Sequence, residues 1–212
     1  MPSLSHQHLF QPGTISAAPP LLLLHGTGGS ERDLLPLARQ ISPGSAVLSP
    51  RGEVNENGAL RFFARLAEGV FDPTEVTRRT HALADFIAAA AKVYCFDSPH
   101  LIAIGFSNGA NIAATLLQLR PASLGGAALL RPMVVLDQPA SPGSLAGKPV
   151  LIANGTLDPI VPASQPPHLA ALLRAGGADV TLESHPASHG LTPADIAGMK
   201  RWFAPRLSRG PV

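Results

Sequence analysis

Apolar residues fall along this chain in short unbroken runs, separated by longer amphipathic stretches. Runs at 21–24, 46–48, 101–104, 127–130, 150–153 and 180–182 are each bounded by turn residues. Such runs are the pattern of strands covered on both faces of a parallel sheet. Between them the spacing predicts helices near 31–41, 73–94, 108–119, 163–175 and 193–204. The second is the clearest. Asp72-Pro73 opens it, and Val76, Leu83, Phe86, Ile87 and Ala90 recur on one helical face. Strand and helix in alternation predict an α/β architecture with five or more mostly parallel strands and helices on both faces. Two segments are expected to be long loops, from 50 to about 71 and the Pro/Gly/Ser-rich stretch 137–149. No repeat recurs at a solenoid period.

The run ending at Ile104 leads into Gly105-Phe106-Ser107-Asn108-Gly109, and a helical pattern starts immediately after it. A serine displayed on a tight strand-to-helix turn needs small neighbours, because strand and helix approach each other closely there. The pattern by itself is also met by a plain turn with a capping serine, so its partners decide the matter. A serine hydroxyl is a poor nucleophile at neutral pH and needs a histidine base, itself oriented by a carboxylate. Three histidines follow Ser107. His168 falls within a helical pattern, His185 closes a strand, and His189 lies in the loop 186–190, which favours His189 as the base. For the acid, Asp158 follows the run 150–153 in a strand-end loop, at the sheet edge where open α/β sheets bind ligands. Asp137 is the rival, at the end of the preceding strand's loop.

A second glycine turn, His25-Gly26-Thr27-Gly28-Gly29-Ser30, follows the run 21–24. A dinucleotide loop would require glycine where Glu31 stands, and no Gly-Lys-Ser/Thr follows for a phosphate loop, so a nucleotide is disfavoured. The turn instead offers backbone N–H groups. An acyl-transfer intermediate needs two donors aimed at its oxyanion, and the Thr27 and Asn108 N–H groups are the candidates, with His25 holding the loop.

These segments carry a resemblance. Residues 22–29, the turn 105–109, Gly155-Thr156-Leu157-Asp158-Pro159-Ile160-Val161-Pro162 and Ser188-His189-Gly190 resemble the bacterial phospholipase/carboxylesterase family of α/β-hydrolases. Residues 49–58 with Arg61-Phe62-Phe63 resemble its hydroquinone-associated branch. The resemblance spans about 20 to 203. It implies a single α/β-hydrolase domain over 1–212, core about 20–204, with Ser107, Asp158 and His189 as catalytic triad and Thr27 and Asn108 as oxyanion donors. Ser188 stands where relatives often have a second glycine. A cap domain would be inserted at 136–149, which is too short to fold one. The segment 51–71 is then the candidate roof, with Phe62, Phe63 and Leu66 as its apolar surface, and Met133 and Val161 are candidates for an acyl pocket. A carboxylesterase is the expected function. A thioesterase, a lysophospholipase and a non-catalytic hydrolase-fold binding protein are the alternatives.

Composition narrows the remaining classes. The 212 residues are 45% hydrophobic and 14% charged, with mean hydropathy +0.19, which suits a chain able to bury a core. Sixteen Lys and Arg against fourteen Asp and Glu give a formal charge of +2, without the clustered stripe of a nucleic-acid binder. The single cysteine, Cys95, excludes an internal disulfide and is expected to be a buried thiol. His185 and His189 lack the glutamate and the helix of a zinc motif, so no metal and no cofactor is expected. Residues 1–13 contain no Lys or Arg and no apolar stretch of signal-peptide kind, and no run approaches a membrane span. The expectation is a cytoplasmic enzyme of a small-molecule ester, with a homodimer as the candidate assembly.

Overall fold

The computed structural model describes residues 4–207. Strand β1 (His8–Gln11) comes first, then β2 (Leu21–Leu24), helix α1 (Leu35–Ile41) and β3 (Val47–Pro50). A hairpin of β4 (Val54–Glu56) and β5 (Ala59–Arg61) leads to the long helix α2 (Pro73–Tyr94). The second half runs β6 (Ile102–Phe106), α3 (Asn108–Leu119), β7 (Gly126–Leu130), β8 (Pro149–Gly155), α4 (Gln165–Ala175), β9 (Asp179–His185) and α5 (Pro193–Leu207).

Seven strands form one sheet in the order β1-β3-β2-β6-β7-β8-β9, with every neighbouring pair parallel except β1 with β3. Because successive residues of a strand point to opposite faces, the apolar runs divide between two cores. Leu22, Leu24, Ala103, Ala127, Leu129, Val150 and Ile152 pack with α2, α3 and α4. Leu21, Leu23, Ile102, Ile104, Ala128, Leu130, Leu151 and Ala153 pack with α1 and α5 on the other face. The chain steps outward from β2 to β3 and then returns to place β6 on the other side of β2. That reversal between β2 and β6 opens a crevice at the carboxyl ends of both strands, where such sheets take ligands.

One strand goes beyond those read from the sequence, and two expectations need correction. Residues 8–11 form an antiparallel edge strand that the mixed polarity of His-Leu-Phe-Gln concealed. The stretch expected as a loop from 50 to 71 contains the hairpin β4–β5, closed by Asn57 and Gly58, both at positive φ. An Asn-Gly pair is the favoured two-residue hairpin turn, so this signal was present in the sequence. Cys95 is exposed, not buried. It caps α2 in the left-handed conformation, φ 55°, with its N–H on Ala91 C=O. That places it past the helix stripe that faces the core. Among the described residues no helix is long and apolar enough to cross a membrane.

Candidate active site

Ser107 stands between β6 and α3 at φ 52° and ψ −116°, a strained conformation for a residue with a side chain. The two glycines around it are steric requirements. A Cβ on Gly105 would lie 2.5 Å from Gly109 C=O, and one on Gly109 would lie 2.0 Å from Leu24 C=O. The turn can therefore sit directly against the end of β2, with Ser107 N–H donating to Leu130 C=O at 2.8 Å.

His189 and Asp158 reach Ser107 from the loops after β9 and β8. His189 Nε2 is 3.0 Å from Ser107 Oγ, and its Nδ1 is 2.8 Å from Asp158 Oδ2. A carboxylate can only accept, so Nδ1 carries the hydrogen and Nε2 is left as acceptor for the serine hydroxyl. The Asp158 side chain is fully buried. Burial opposes its ionisation, but the Ile160 N–H, His189 and the Val161 N–H outweigh it and hold the carboxyl below its ordinary value. Gly155 lets the two loops touch, since a Cβ there would lie 2.2 Å from Ala187 C=O. The arrangement can draw the hydroxyl proton onto an oriented imidazole and stabilise the cation that forms.

The rival residues lie apart from this relay. Asp137 pairs instead with His168 at 2.6 Å on an exposed face, and His185 sits beside Glu183, its Nε2 3.4 Å from that carboxylate. Among the described residues no group of three or more His, Cys, Asp or Glu side chains is disposed to hold a metal ion.

Thr27 and Asn108 both line the cleft above Ser107. Among the described residues neither backbone N–H has a protein acceptor, which leaves two donors for an oxyanion. The preceding His25 is nearly fully buried. Burial, opposed by the bond to Gly26 C=O, pushes its pKa below 6.5. Its Nδ1 donates to that carbonyl at 2.7 Å and its Nε2 accepts from Gly52 N–H at 2.9 Å, a pattern only the neutral ring can make.

The cleft has a volume of about 290 Å³. Met133 and Val161 line it, together with Phe71, Phe106 and Ile160. Phe62 and Phe63 do not roof it. They are 3% and 0% exposed and belong to the core on the α2 side, because the β4–β5 hairpin folds them inward. Leu66 is 73% exposed and lies outside the wall. The segment 51–71 contributes Arg61, Arg65, Glu68 and Phe71 in their place.

Sequence reasoning missed Arg131 and Asp195. Arg131 is completely buried at the end of β7, and Nη1 and Nη2 donate to the two Asp195 oxygens at 2.8 Å each. Its Nε donates to Ser188 C=O at 3.2 Å and Nη2 to Gly190 C=O at 3.0 Å, so it grips the chain on both sides of His189. Thr192 and Asp195 form a reciprocal cap on α5. That Thr-x-x-Asp spacing was the readable hint of where the acid would lie. Burial works against ionising Asp195, yet Arg131 and the Thr192 donors outweigh it and hold its carboxyl below the usual 3.8. The unfolded chain then takes up this proton first as pH falls, so the stability from the pair is complete above about pH 4 and lost below it. Arg131→Met, which strands a buried carboxylate, is expected to cost about 3–5 kcal/mol. Urea midpoints measured from pH 7 to 3 should fall at the acid end for the unsubstituted protein. They should start lower and change less for Asp195→Asn, and parallel curves would show that the pair carries no such linkage.

Comparison with known proteins bears on the family and the fold. The dienelactone hydrolase family matches residues 23–198. A Bacillus subtilis (strain 168) protein named as a hydrolase, MhqD, is 43% identical over 197 residues, covering 93% of this chain and 97% of its own. Among solved structures, a Bacillus cereus carboxylesterase superposes with TM-score 0.92 at 46% identity, covering 95% of each chain. A Mesorhizobium loti carboxylesterase gives TM-score 0.88 at 34% identity, covering 96% of this chain and 97% of that one.

Proposed function

We propose that this chain, which belongs to the dienelactone hydrolase family, is a serine hydrolase that cleaves carboxylic esters through an acyl-enzyme. The observation that carries this reading is the unbroken relay from Ser107 Oγ through His189 to buried Asp158, set beside two N–H groups that have no protein acceptor among the described residues. The carboxylesterase names of the Bacillus cereus and Mesorhizobium loti structures support the ester class.

In this mechanism Ser107 Oγ attacks the ester carbonyl as His189 Nε2 takes its proton. The carbonyl oxygen becomes an oxyanion held by the Thr27 and Asn108 N–H groups. Collapse expels the alcohol, which receives the proton from His189, and leaves Ser107 acylated. A water then repeats the sequence, with His189 again as base, and releases the acid. The cleft of about 290 Å³ lies at the small end of ligand sites and suits short to medium esters. Its apolar wall of Met133, Ile160 and Val161 would receive the acyl chain.

A fluorophosphonate probe tests the reading directly. Intact and peptide mass spectrometry should show one adduct per chain, on Ser107, with loss of p-nitrophenyl ester hydrolysis in step with labelling. Absence of an adduct would turn the reading to a binding protein of hydrolase fold. Faster turnover of acyl thioesters than of matched oxygen esters would turn it to a thioesterase.

A further inference from the structure

The β4–β5 hairpin and the residue that follows it meet the site at three points, and each contact lands on a segment that bears a proposed oxyanion donor. Leu60 C=O accepts from Gly28 N–H at 2.9 Å, Phe62 N–H donates to Asn108 Oδ1 at 2.7 Å, and Arg61 Nη1 donates to Thr27 Oγ1 at 2.8 Å. Arg61 is the unusual member, a cation only 4% exposed in the wall of the cleft. Burying a guanidinium is costly unless its donors and charge are matched. Here Nε donates to Phe63 C=O at 3.2 Å and lies 3.3 Å from Glu56, which in turn pairs with Arg65, and Arg65 with Glu68. Two arginines and two glutamates thus balance, and one donor of the chain is aimed at Thr27.

Arg61 adds a side-chain anchor at Thr27. Gly26 and Gly28 flank it, Gly28 at φ 79°, so the peptides around it have little intrinsic preference for one orientation. Among the described residues its own N–H has no protein acceptor to fix it. The peptides on either side are held by His25 Nδ1 and Gly29 N–H on Gly26 C=O, at 2.7 and 3.0 Å, and by Gly28 N–H on Leu60 C=O, while the side chain of Thr27 is held by Arg61.

We propose that Arg61 is a positioning residue for the oxyanion site, pinning Thr27 through Oγ1 so that the Thr27 N–H stays aimed at the developing oxyanion. The proposal rests on the esterase reading and extends it to a residue that touches neither nucleophile nor base. A donor displaced by about 1 Å can lose as much as two orders of magnitude in rate.

A double-mutant cycle tests it. Arg61→Met removes the donor, and Thr27→Val removes the acceptor while keeping the backbone N–H and the side-chain shape. Each is expected to lower kcat about 10- to 100-fold, with KM within about threefold and with boronic acid inhibition weakened by a similar factor. The double variant should be no slower than the slower single one. Arg61→Lys should recover part of the loss. Multiplying losses in the double variant, or a raised KM with kcat intact, would overturn the proposal. Should Arg61→Met fold poorly, Thr27→Val breaks the same bond from the other side. A readout independent of turnover is the backbone ¹⁵N order parameter at Thr27, which should fall in both single variants. Unchanged order overturns the proposal even in an active enzyme. A loosened Thr27 in a protein that hydrolyses no ester would count against the esterase reading alone.

Discussion

Ser107→Ala is expected to lose at least about a thousandfold in ester turnover while the protein keeps its fold, because alanine retains the Cβ but has no oxygen to acylate. The turn is held by backbone hydrogen bonds that the substitution leaves in place, namely Ser107 N–H on Leu130 C=O and Asn111 N–H on Ser107 C=O. What the alanine removes is the hydroxyl's bond to His189 Nε2. Thermal unfolding should therefore shift little, the fluorophosphonate adduct should vanish, and residual turnover should come from the oxyanion donors alone. More than a small percentage of the original rate, measured on material checked for contaminating esterase, would move the nucleophile elsewhere.

The second large effect separates two aspartates. Asp158→Asn replaces an acceptor on His189 Nδ1 with an amide that can present N–H there and favour the wrong tautomer, a change that costs about 10²–10⁴-fold in kcat where such triads operate. Asp137→Asn, by contrast, alters an exposed pair with His168 away from the cleft and should stay within about threefold. Steady-state kinetics of both variants on one short ester make the comparison. The reverse ranking would give the acid's role to the loop after β7.

The two substitutions differ in how legible their sites are in the sequence. Ser107, Asp158 and His189 could be singled out because each follows the carboxyl end of a strand read from the sequence, and the steric demand for glycine at 105 and 109 leaves a written trace. The central strands were legible because, covered on both faces, they read as apolar runs, whereas the edge strands β1 and β9 are interrupted by polar residues. What escaped reading was held by long-range polar contact. Arg131 and Asp195 stand 64 positions apart, and nothing near either one in the chain announces the other. Phe62 and Phe63 misled because hydrophobicity says that a ring will be covered without saying by which surface. Once β4 and β5 pair, both rings face the core, and the cleft wall falls to Arg61, Arg65, Glu68 and Phe71.

The scattering of the relay along the chain has a bearing on how the protein acquires activity. Ser107 and His189 are 82 positions apart and His189 and Asp158 31, on loops after three different strands. Every one of those loops is fixed in place only when β6, β7, β8 and β9 have paired in order. Parallel pairing brings together distant residues and closes slowly. A chain that has already formed α2 and α3 carries its serine on a finished turn yet has nothing to ionise it. On the proposed reading, a chain whose β9 has not docked would therefore lack its base and hydrolyse no ester.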